Sequence, residues 1–189
     1  PGDPRQRAQW QGLRDQLADA QAAVRLRLAP NQDLVSLEQQ AVAAGFADLA
    51  AQAATLYVED GLARQDRSAM GHAPVALERA AAAGDAGAVA RANLLLLATA
   101  VNKATGAIDY DRALALVPSV TAAIRLSKRA ELEVELDLAV ARLGFEQGRY
   151  EQAMEALHRA ADRPQLPPDR TTTVFAEIAD TRRMQGKLD

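Results

Sequence analysis

Alanine fills 43 of the 189 positions, and it decides what this chain can build. It is the best helix former and has almost no side chain to hold two helix axes apart, whereas strands favour β-branched and aromatic residues, and aromatics are only 4% of the sequence. Alanine also makes up nearly half of the 49% of residues that count as hydrophobic, so larger apolar side chains are few. The expected fold is all-α with a core of small residues. A chain of this length buries roughly 70% of the surface its unfolded form exposes, which is enough for it to fold alone.

Charge and cysteine content remove several classes of function. There is no cysteine, which excludes disulfide scaffolds, thiol nucleophiles and cysteine-ligated zinc. The formal net charge of -3 comes without a basic run. Nucleic acid and anionic membrane need clustered cations to displace counterions, so neither partner is expected. Arginine outnumbers lysine 19 to 3, which reads as the codon usage of a GC-rich bacterium, with selection for bidentate anion binding as the alternative. The first methionine is Met70 and residue 1 is proline, so a signal peptide or anchor is expected upstream of this segment if the gene encodes one. The longest apolar stretch, residues 92–101, is interrupted by Asn93 and is half of the ~20 residues a membrane span needs, which predicts a buried core helix and no membrane insertion.

Apolar spacing and punctuation divide the chain into helices. Trp10, Leu13, Leu17, Ala20 and Val24 recur at steps of three and four, a stripe on one helix that ends by Pro30. It reads as an N-terminal capping helix over residues 1–30, or as a seam joining two copies into a homodimer. Asp33 or Ser36 caps a helix to Ala44, Gly45 turns the chain, and residues 46–64 return as its partner. Residues 65–74 read as a loop. A second pair spans 75–83 and 86–104 about a Gly84-Asp85 turn, and Gly106 leads into a short helix, 109–117, that Pro118 ends. Residues 119–147 read as helical, with a break near Ser127 or Ala130.

A repeat emerges in the last third. Val140-Ala141 and Gln147-Gly148 recur as Ile178-Ala179 and Gln185-Gly186, both displaced by 38 residues. Tandem helix pairs look like this because each unit buries its apolar face only against its neighbour, and Ala141 and Ala179 are each expected against a sister helix.

The segment GRYEQAMEALHRAA, residues 148–161, resembles the tetratricopeptide repeat family: the turn glycine Gly148, the aromatic Tyr150, Ala153 at the close contact of the paired helices, Leu157 at a bulky position and Ala160 near the end. Ala141 fills the small position of the preceding helix. Asp137 departs from the family's aromatic, Gly144 from its frequent Tyr, and Pro164 comes one place early, while Phe175 restores the aromatic in the next unit. The offset of 38 exceeds the family's ~34, an excess that the loop at 164–169 can absorb. GFADLA from Gly45 and GDAGAVA from Gly84 are fainter echoes. The resemblance implies a right-handed α-solenoid of antiparallel helix hairpins, with degenerate hairpins over 31–130 and recognisable units over 131–189. The last unit is cut after Leu188-Asp189, and more repeats are expected beyond it.

Nothing in the sequence assembles a catalytic or metal site. His72 lies in a loop and His158 on a helix, each without the paired His or carboxylate spacing of a metal ligand set, and neither a Gly-x-Ser-x-Gly elbow nor a phosphate-binding glycine loop occurs. The expectation is a non-enzyme without cofactor. The most unusual charge pattern is Arg125, Lys128 and Arg129 followed by Glu131, Glu133, Glu135 and Asp137. It reads as a solvated, self-paired face in which Lys128 reaches Glu131 and Arg129 reaches Glu133. In the family that this chain resembles, the first helix of each unit lines a concave groove. By register that puts Glu135, Leu138, Arg142, Phe145 and Glu146 on one groove-facing stripe, and Thr173, Ala176, Asp180, Arg183 and Met184 on the next.

The resulting expectation is a non-catalytic module that recognises a peptide or protein partner within a larger bacterial protein. Two alternatives go with it. One is the sensory input domain of a membrane-tethered GGDEF diguanylate cyclase, which would lie in the periplasm. The other is a constitutive assembly scaffold or the repeat region of a transcription regulator, and in every case but the sensor the expected compartment is the cytoplasm.

Overall fold

The computed structural model describes residues 3–30, 32–102, 109–164, 166 and 168–186. Among them are ten α-helices and no strand: α1 (Pro4–Arg25), α2 (Leu34–Ala43), α3 (Ala47–Arg64), α4 (Arg67–Gly71), α5 (Ala73–Ala83), α6 (Ala86–Ala100), α7 (Tyr110–Ser127), α8 (Glu131–Glu146), α9 (Tyr150–Ala161) and α10 (Pro168–Met184). The chain is all-α.

Aspartates start half of these helices. Asp3, Asp33, Asp66, Asp85 and Asp109 each accept a hydrogen bond from a backbone N–H of the first turn, satisfying donors that have no partner inside the helix. Asp66 is the one whose consequence the sequence reading missed. It accepts from Ser68 and Ala69, and with Ala69 and Met70 buried it turns part of the expected loop at 65–74 into α4. Helix α5 accordingly begins at Ala73, and α6 ends at Ala100 instead of Ala104. The turn expected at Gly106 lies outside the described residues.

Pro118 does not end its helix. Helix α7 runs through it to Ser127, because Pro118 and the preceding-turn Leu114 lie on the exposed face, where water can satisfy the freed carbonyl. Ala113, Val120 and Ile124 meanwhile bury the opposite face. That burial offsets the ~3 kcal/mol a helical proline costs. The expected break falls at Lys128, which takes the left-handed conformation at φ 57°.

Substantial helix contacts join only elements close in sequence. Helix α2 packs on α3, α3 on α5, α5 on α6, α6 on α7, α8 on α9 and α9 on α10, with α1 on α3, α3 on α6 and α6 on α8 beneath them. The core is a series of clusters: Leu13, Leu17, Leu37 and Leu49 tie α1 to α2 and α3; Val58, Ala76 and Leu95 tie α3 to α5 and α6; Leu97, Ile124 and Leu132 tie α6 to α7 and α8; and Val134, Leu157 and Val174 tie α8 to α9 and α10. The Trp10 stripe is thus largely used inside the chain, with Leu13, Leu17 and Ala20 buried. Residues 92–101 also belong to the core, and no helix among the described residues is long and apolar enough to cross a membrane.

The two departures at 137 and 144 have local causes. Asp137 is 5% exposed, and its carboxylate accepts hydrogen bonds from Arg159 Nε of α9 and from Arg163 Nε just beyond it, both at 3.0 Å. An ion pair joins α8 to α9 where an aromatic was missing. Gly144 leaves room for that approach, since a Cβ there would stand 3.1 Å from the Ala153 amide nitrogen. Ala141 is buried against α9, but its counterpart Ala179 is exposed, because no helix follows α10 among the described residues. The expectation that both alanines contact a sister helix holds for Ala141 alone.

Close approach is tightest at Gly61, where an added Cβ would collide with the Ala69 Cβ and stand 3.1 Å from the Met70 amide nitrogen. Substituting alanine gains about 1 kcal/mol of helix propensity, against about 1–3 kcal/mol of overpacking on an atom that cannot swing away. Gly61→Ala should therefore lower stability by about 1 kcal/mol in urea unfolding, although the same change raises it at an exposed helical glycine.

Candidate functional site

A groove of about 630 Å³ is lined by residues of α1, α3, α6 and α8. Its polar lining includes Arg25 from α1, Gln52 and Glu59 from α3, Arg91 from α6, and Glu135 from α8. Small residues make the space, since Ala51 and Ala88 stand on facing helices where longer side chains would close it. Leu56 and Leu132 supply apolar surface.

Charge crosses the groove in alternation. Arg91 donates from Nε to Glu59 Oε1 at 2.7 Å and from Nη1 to Glu135 Oε2 at 2.6 Å, and Arg170 Nη2 of α10 stands 3.6 Å from Glu135 Oε1. One side chain from each of α3, α6, α8 and α10 thus forms an acid–base–acid–base ladder. Burial alone would lower the Arg91 pKa, but the charges and hydrogen bonds of Glu59 and Glu135 outweigh it and hold the guanidinium above its ordinary value. The planar fork lets one cation hold two helices at once, which a lysine could not do with fixed geometry.

This ladder corrects the reading of the acidic run as self-paired. Glu133 pairs with Arg163, just past the end of α9, Glu135 with Arg91 and Arg170, and Asp137 with Arg159 and Arg163; Arg129 reaches Glu131, at 3.2 Å on the exposed surface. Three of the four carboxylates bind residues outside the run, on other helices or just past the end of one. His72 is likewise engaged, its Nε2 lying 2.6 Å from the Oε2 of buried Glu38, which also accepts from Arg79 Nε at 2.7 Å. Sequence separations of 34 and 41 residues hid these partners.

A second, smaller cavity of about 170 Å³ opens between α8 and α10, with Leu157 of α9 in its wall. Ala141 and Leu157 are buried, and Phe145 packs edge-on against Tyr150 with ring centroids 5.6 Å apart. The polar wall carries Arg142, Glu146, Glu177 and Asp180. Burial raises the Glu177 pKa, Arg142 opposes that rise, and the charge of Asp180 adds to it.

The predicted groove residues are divided by the structure. Arg142, Phe145, Glu146 and Asp180 meet around the smaller cavity, and Glu135 lines the larger groove. Leu138 is half-buried against the α8–α10 cluster. Thr173, Ala176, Arg183 and Met184 are exposed on α10 and line neither space, with Arg183 paired to Asp180 at 3.0 Å. The larger groove was missed because most of its lining comes from residues before 130, where the repeat pattern is weakest. The available signal was Ala51, Thr55 and Glu59 at steps of four on one face of α3.

Comparison with family models, curated proteins and solved structures finds no match to this chain. The functional reading rests on the residues and their placement.

Removing Arg91 leaves Glu59 and Glu135 facing each other without their shared cation. Arg91→Met should cost about 2 kcal/mol in urea unfolding, below the range for fully buried pairs because all three side chains keep some contact with water. Adding Glu59→Gln should recover part of that loss; simple additivity of the two changes would show that the pair is not coupled.

Proposed function

We propose that this chain is a non-catalytic binding module of the tetratricopeptide type. In this reading its hairpins stack as a solenoid, and α1, α3, α6, α8 and α10 form the inner wall, with α2, α5, α7 and α9 outside. The occupant of the wall is an extended segment of a partner protein. The observation that carries the reading is the shared groove: four helices separated in sequence each turn one side to a single open space. Helices of a closed bundle would turn those sides toward a common core. The lining combines leucine surface with charges of both signs, which suits the alternating side chains and backbone amides of an extended peptide better than it suits a uniformly charged polymer.

The test fills the groove without touching the core. Gln52 is exposed and lines the groove, so Gln52→Trp places an indole in the space and leaves the buried face of α3 intact. Dodecapeptides selected on the wild-type protein from a random display library should bind the variant at least ten-fold more weakly, while its thermal midpoint stays within about 2 °C. Selection that yields no binder, or binders indifferent to Gln52→Trp, rejects the reading.

A further inference from the structure

The smaller cavity has the size of one side chain. Its 170 Å³ falls below the ~300 Å³ at which pockets for free small molecules begin, and it opens on the α8–α10 side of the proposed inner wall. Its inner surface is apolar, built from Ala141, Leu157 and the ring of Phe145, and its rim is polar. An occupant must therefore be a chain of methylenes with a polar head.

The rim decides which head. Glu177 and Asp180 place two carboxylates beside the single guanidinium of Arg142, while Glu146, also on the rim, has a partner of its own. Asp180 is engaged by Arg183, but that pair is exposed on the surface. Glu177 is half-buried and makes no ion pair or side-chain hydrogen bond among the described residues. Thr181, next to it, donates its hydroxyl to the Glu177 backbone carbonyl at 2.7 Å, so that hydroxyl is already committed. We propose that this cavity is a subsite for a basic side chain, a lysine or arginine of the bound partner, whose stem lies on Leu157 and Phe145 and whose cation meets the Glu177 and Asp180 carboxylates. The proposal rests on the peptide-binding reading above and adds a residue class to it.

Two further consequences distinguish this subsite from a patch of surface charge. Arg142 competes with the incoming cation for Glu177, so removing it strengthens binding, whereas it would weaken a site that recognised carboxylates. The cation needs Glu177 ionised, and burial first, then Asp180, raises the pKa of that group against the pull of Arg142. Protonation therefore begins at a higher pH than for an ordinary carboxylate, and affinity falls as pH is lowered through that range. The charged groups facing Glu177 are Arg142 and Glu146 from α8 and Asp180 on its own helix, while α9 presents only Leu157.

The experiment titrates the isotope-labelled protein with three N-acetylated, C-amidated pentapeptides, alanine throughout except for lysine, norleucine or glutamate at the centre, and follows backbone amide shifts. The lysine peptide should bind at least ten-fold more tightly than the norleucine peptide and move the Phe145, Asp180 and Thr181 amides. Glu177→Gln should abolish that preference, and Arg142→Ala should increase it. Equal affinities for lysine and norleucine, a preference that survives Glu177→Gln, or weaker lysine binding in Arg142→Ala would each overturn the subsite. Absence of any shift at these amides overturns it too, and library peptides sensitive to Gln52→Trp would still uphold the wider groove.

Discussion

Close packing of alanine sets the distance between helices, and everything else in this structure follows from that distance. Ala50, Ala51, Ala53 and Ala54 are all at most 2% exposed on α3, which is packed by α1, α2, α4, α5 and α6. A helix with neighbours on so many sides has no room for large side chains all round it. The same economy recurs at Ala153, Ala156 and Ala160 on α9. Close approach increases dispersion contact per residue, but it yields little apolar area, and alanines carry little shape to fix one register against another.

Register is supplied instead by charge. Asp137 holds Arg159 of α9 and Arg163 just after it, Glu38 holds His72 and Arg79, and Arg91 holds Glu59 and Glu135. Each of these contacts ties a helix to another helix or to the residue next to one, and no buried side-chain nitrogen or oxygen among the described residues lacks a partner. A fully satisfied network of this kind tolerates few alternative alignments, because sliding one helix by a turn would strand a desolvated charge. Arginine suits this use, since its fork can serve two carboxylates from two directions.

The parts of the fold legible in the sequence were those fixed within about a dozen residues. Aspartate caps, the glycine turns at Gly45, Gly84 and Gly148, and the stripe on α1 all act locally, and the helices follow them closely. Pro118 was misread because its effect depends on which face of α7 meets water, and that is decided by packing partners on α6 and α8. The ion pairs were illegible for a related reason. Glu131, Glu133, Glu135 and Asp137 alternate along α8, so a helical turn sends neighbours in the run in different directions, and the partners of the last three lie 22 to 44 residues away. Of the candidate groove, the portion around Arg142, Phe145, Glu146 and Asp180 was reached by register with the repeat, while the larger groove needed α3 and α6 to be brought beside α8.

A core of small residues also explains why the larger groove is lined mostly by polar side chains. Large apolar side chains are scarce and are consumed between helices, as Leu97, Leu143 and Leu157 show. What remains for the groove is the charge that aligns the helices, together with the gaps left by alanine. Alignment and the proposed recognition thus draw on the same side chains: Glu135 ties α8 to α6 and also lines the larger groove. A ligand that competes for Glu135 would loosen the tie to Arg91, and one that bridges the two would tighten it. Occupancy of the groove is thereby coupled to the spacing of α3, α6 and α8, a coupling that a wall built of leucine, indifferent to the sign of its neighbours, would not provide.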